Sequence, residues 1–67
     1  MNKTAADLTI GDRILTNGEY HPIVKAGRIT PAGKRMIVVD AGLIASDGEK
    51  MFVPYIINAD ETVEVAA

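Results

Sequence analysis

Arg13-Ile14-Leu15-Thr16-Asn17-Gly18-Glu19-Tyr20-His21-Pro22-Ile23 is the stretch on which the fold turns. Two runs rich in branched and aromatic residues flank Asn17-Gly18. The two-residue hairpin loop that matches strand twist needs positive φ at both central residues, and Asn followed by Gly accepts this at least cost. Residues 13–23 therefore predict a β-hairpin: a short strand at Arg13–Thr16 and a long second strand from Glu19 to Thr30. Pro22 has no N–H and belongs at an edge or bulge. Gly27 is placed for a bend.

Working outward, Pro31-Ala32-Gly33 predicts a turn, with Pro fixing φ and Gly free to take a positive value. A third strand follows at Lys34–Ala41, built on Met36-Ile37-Val38-Val39, and Gly42 breaks it or bends it into Leu43-Ile44. Asp47-Gly48 is a second hairpin signal. Glu49–Ile57 is the fourth strand, interrupted by Pro54. After a tight turn at residues 58–61, Thr62-Val63-Glu64-Val65 alternates as a fifth strand with Val63 and Val65 inward. At the other end, Thr4-Ala5-Ala6-Asp7 fits the start of a helical turn, which Gly11 limits to one turn. Residues 1–7 are expected to be a partly ordered segment, with Leu8 and Ile10 tucked under the core.

Composition agrees. Eight Ile and six Val stand against three Leu, and side chains branched at Cβ suit a pleated sheet. The 67 residues allow one domain, residues 1–67, expected to be an all-β, five-stranded SH3-like barrel. An OB-like barrel or an open β-sandwich are the alternatives. A chain this short buries only about 60% of the surface that it exposes when unfolded. It therefore often needs a staple. With no Cys and one His, disulfides, thiolate metal sites and His-rich cages are excluded, which leaves association. No cofactor or metal is expected. No apolar run reaches 18 residues, and Met1-Asn2-Lys3-Thr4 leads into no apolar signal region. The expectation is a cytoplasmic protein with no membrane segment.

Leu8-Thr9-Ile10-Gly11-Asp12-Arg13-Ile14 and Asp60-Glu61-Thr62-Val63-Glu64-Val65 resemble the first and last strands of SH3-like barrel proteins. The layout is similar to that of small proteins of unknown function from phages of actinobacteria. The resemblance implies a fold and no activity.

Residues for chemistry are sparse. Nucleophilic catalysis needs a nucleophile, a base and an orienting acid. Ser46 reads as turn chemistry before Asp47-Gly48, and His21 lies beside Pro22 on a strand. Asp60, Glu61 and Glu64 read as a solvated face. No glycine cluster forms a strand–loop–helix phosphate cradle. A non-enzymatic protein is expected. Charge is uneven: residues 21–36 carry Lys25, Arg28, Lys34 and Arg35 with no acid, whereas residues 37–67 carry Lys50 against six acids. The basic hairpin at residues 25–35 could contact nucleic acid or an acidic partner. However, the pI of 5.1 and the lack of interleaved aromatics weigh against nucleic acid.

The apolar pattern is more telling. A strand with one wet face should alternate, but Met36–Val39 and Met51–Ile57 are apolar throughout. One interior cannot hide both sides, and contiguous exposed apolar surface marks interaction sites. A protein-interaction surface is thus expected at Ile37, Val39, Met51, Phe52, Val53, Tyr55, Ile56 and Ile57. Its partner would be a second copy or a host or phage protein. The competing reading is that the N-terminal segment and Leu43-Ile44 cover the outer side.

Overall fold

The computed structural model describes all 67 residues. In chain order it has β1 (Asn2–Thr4), a 3₁₀ turn (Ala5–Asp7), β2 (Arg13–Thr16), β3 (Glu19–Ile29), β4 (Lys34–Ile44), β5 (Lys50–Asn58) and β6 (Thr62–Glu64). They form two antiparallel sheets, β2-β3-β4-β5 and β1-β6. The chain is all-β, as composition requires.

Six strands stand where five were expected, and they do not form a closed barrel. The sixth is present because residues 2–4 do not fray but pair with residues 62–64. A single β-bridge, Ile14 to Val65, links the ladders of the two sheets, supported by the Ala66 N–H to the Arg13 carbonyl at 2.8 Å. On the far side no strand pairs with β5. There the N–H groups of Ala5 and Ala6 bond the carbonyls of Glu61 and Ala59 at 2.8 and 2.9 Å. The ring of strands is therefore interrupted beside β5.

The turns explain the meander. Asn17 and Gly18 have φ of 50° and 81°, both positive as the two-residue loop demands. The other two hairpins use a different device. Gly33 donates to Thr30 and Gly48 to Ala45, each at 2.9 Å, and each glycine carries positive φ. This is a three-residue loop that closes on a left-handed glycine. β4 does not end at Ala41. Its pairing with β5 shifts between Val39 and Leu43, and the Asp40 carboxylate accepts the Gly42 N–H at 3.0 Å. Gly42 thus bends the strand through a bulge.

Ala5, Leu8, Ile14, Ile23, Ile37, Val39 and Val65 form the buried core, with Ala26, Val53, Tyr55, Ile57 and Val63 packed against it. Burying a branched side chain contributes about 1.5–3 kcal/mol, so these few residues hold the sheets together. Leu8 tucks under as expected. Ile10 does not: it stands 68% exposed beside Gly11, where the chain turns away from the core.

Candidate functional site: the outer face of strands four and five

Register decides which side chains share a face, because directly opposed residues in an antiparallel pair point the same way. Met36 opposes Ile56, and Val38 opposes Pro54. Ile37 opposes Tyr55, and Val39 opposes Val53. Burial assigns the second set to the inside: Ile37 and Val39 are buried, while Val53, Tyr55 and Ile57 are half-buried against the core. The even-numbered set faces outward. Met36 is 38%, Phe52 47% and Ile56 72% exposed.

This corrects part of the expected interaction surface. Ile37 and Val39 belong to the core, and Val53, Tyr55 and Ile57 lean on it. Of the eight expected residues, Phe52 and Ile56 lie on the outer face. Met51 has inward parity but sits past the core, next to the β4 bulge, and is exposed. Sequence reasoning missed Met36, Val38 and Pro54. A signal for parity was present: Lys34 and Asp40 bracket the Met36–Val39 run of β4 at even positions, and Lys50 and Asn58 bracket β5 likewise.

The outer face is thus a stripe of Met36, Val38, Phe52, Pro54 and Ile56, with no charge inside it. Lys25 opposes Val38 on its β3 side. Lys34 closes one end, its ammonium 2.6 Å from Asn58 Oδ1. Lys50 closes the other, 2.6 Å from Asp40 and 6.0 Å from the centre of the Phe52 ring. The Lys50 ammonium, helped by the Gly42 N–H, holds the Asp40 carboxyl below its usual range. The two segments that the competing reading places over this face lie elsewhere. Residues 2–4 pair with β6, and Leu43 and Ile44 continue β4 opposite Met51 and Lys50.

The four basic residues of the 25–35 hairpin do not act together. Arg35 points to the inner side. Its Nε donates to the Gly27 carbonyl at 2.8 Å, and its Nη1 donates to the carbonyls of Ala5, Ala6 and Leu8 at 2.8, 3.1 and 2.8 Å. It is a brace between β3, β4 and the N-terminal turn, which corrects its expected place at a nucleic-acid or acidic-partner contact. Lys25, Arg28 and Lys34 remain exposed.

A second concavity, about 250 Å³, lies in the gap between β2 and β5. Ile14, Leu15, Tyr55, Ile57 and Val63 line it, with Glu61 at its rim. Ser46 stands exposed in the turn after β4, and the Glu19 carboxylate lies 3.8 Å from His21 on the same strand. No helix is long and apolar enough to cross a membrane. Comparison with protein-family models, with curated proteins and with solved structures finds no match.

Proposed function

We propose that this protein is a non-enzymatic interaction module that binds a protein partner through the outer face of β4 and β5. One observation carries the reading. Ile56, 72% exposed, stands within a charge-free stripe of five apolar side chains that none of the chain's own segments covers. Large contiguous apolar surface on a small domain marks a binding site. The flanking lysines and the Asn58 amide supply the polar rim that such interfaces have. We also propose that the strand path is that of an opened SH3-like barrel. The sequential β2-β3-β4-β5 order and the bridge from Ile14 to Val65 support this.

A photoreactive residue at position 56 tests the interaction reading, with one at position 10 as a control. Ile10 is as exposed as Ile56 but lies off the stripe. Cross-links of defined mass from position 56 and none from position 10 are expected. Equal labelling from both positions, or none from 56, overturns the reading.

A further inference from the structure

We propose that the occupant of this face is a second copy of the chain, stacked face to face about a two-fold axis that runs across the strands at the level of Pro54. The inference rests on the outer-face reading above.

Charge distribution picks the partner. Along β5 the outward positions run Lys50, Phe52, Pro54, Ile56, Asn58, so Pro54 is the midpoint. At a rise of about 3.3 Å per residue, each end lies roughly 13 Å from it. The ion pairs of the chain are Lys3 with Asp12 and Lys50 with Asp40, and Glu19 lies 3.8 Å from His21. Lys25, Arg28 and Lys34 are in none of them, and Arg28 and Lys34 flank the β3–β4 turn. At the opposite end Asp47 and Glu49 stand exposed in the β4–β5 turn, while Lys50 is neutralised by Asp40. Lys25 lies level with Pro54, through Val38, so the basic end holds Arg28 and Lys34, and Asp60 tempers these two cations without cancelling them. Glu61 lines the cleft on the inner side. The face is therefore positive at one end, negative at the other and apolar between.

A two-fold axis across the strands sets each charged end over its opposite on the partner and stripe over stripe. Stacking with both copies pointing the same way sets like charge over like. A C₂ interface must be self-complementary, and this face is. Opposed potentials also fix register and exclude wrong partners. A nucleic acid would be drawn to the basic end and repelled by the other. Joining two copies edge to edge is disfavoured, because Pro54 interrupts the donors along β5.

Sedimentation velocity from 5 to 500 µM tests this. The wild type is expected to pass from 7.1 kDa to twice that mass, more weakly in 500 mM than in 50 mM salt. Ile56→Glu is expected to hold it monomeric with an unchanged far-UV circular dichroism spectrum. Phe52→Lys, on the same face, provides a second route, and Ile10→Glu is expected to leave the dimer intact. Reversing one end (R28E with K34E) or the other (D47K with E49K) should weaken self-association at least tenfold. An equimolar mixture of the two charge-reversed forms should restore it. A wild type that stays monomeric at 500 µM in low salt, or a mixture that restores nothing, overturns the two-fold. If position 56 then cross-links to a different protein, the outer-face reading survives alone. If it cross-links to nothing, both fall.

Discussion

Arg35 shows how one side chain can join distant segments. Its guanidinium donates to the Gly27 carbonyl at a bulge and to three carbonyls of the N-terminal turn. Hydrogen bonds to a charged group contribute about 1.5–3 kcal/mol each, net of competition with water. Three of the four here share Nη1, so their sum falls well short of four full bonds. Arg35→Met is therefore expected to lower unfolding free energy by about 2–3 kcal/mol in urea titrations. Arg35→Lys should recover only part of that, since an ammonium cannot span the same fork of acceptors. Asp12 anchors the other side of the same turn. Its carboxylate accepts the Thr9 N–H at 2.9 Å and lies 3.0 Å from the Lys3 ammonium. The Thr9 N–H first, then Lys3, hold its pKa below the ordinary 3.8. A carboxylate whose pKa is depressed by folding contributes stability that is present above the unfolded value and is lost as pH falls through the folded one. The wild type should therefore lose stability from about pH 4 downward. Asp12→Asn should be about 1 kcal/mol less stable at pH 7 and change less between pH 5 and pH 2.5. A variant with the wild-type acid slope would remove Asp12 from this role.

At the scale of elements, the meander was legible because its signals are local. Asn17-Gly18 states its own turn, and Pro31-Ala32-Gly33 and Asp47-Gly48 mark theirs within three residues. The parity of β4 and β5 was written more faintly. The polar residues bracketing their apolar runs share even positions, but Arg35 breaks that alternation because it points inward to partners 27 to 30 residues away, which no local pattern reveals. The pairing of β1 with β6, nearly the length of the chain apart, was hidden for the same reason, and with it the sixth strand. Gly27 was read as a bend, and its surroundings add a reason. A Cβ there would sit 3.2 Å from the Met36 carbonyl oxygen, a main-chain atom of β4, which pairs with β5 at this residue. Gly27→Ala is thus expected to cost about 1–3 kcal/mol by overpacking. Gly42→Ala meets open space but must adopt a φ of 74°, so about 1–2 kcal/mol of strain is expected. Denaturation midpoints would separate the two mechanisms. Replacing Gly42 by Asn, which tolerates the left-handed region, should restore most of the loss, whereas Gly27→Asn should be worse than Ala.

The whole molecule is a thin core under a large apolar surface. Seven of 67 residues are buried, and twelve large hydrophobic side chains remain exposed. A monomer built this way has little to set against chain entropy, and there is no disulfide to help it. Burying the Met36–Ile56 stripe against a second copy adds to the same ledger, so folding and association become coupled. If the folded form is a dimer and the unfolded form a monomer, mass action makes stability depend on concentration. Each tenfold rise in protein adds about 1.4 kcal/mol per dimer. The thermal midpoint of the wild type should therefore climb by several degrees between 5 and 500 µM. Ile56→Glu should melt at one temperature across that range, at or below the lowest wild-type midpoint. Ile37→Ala acts on the core instead. It should lower the midpoint at every concentration, at a cost of about 2–5 kcal/mol, while leaving the slope against concentration in place. Two substitutions on opposite faces of neighbouring strands thus separate what the core supplies from what the outer face supplies. A wild-type midpoint that does not move with concentration would mean that the core alone sustains the fold.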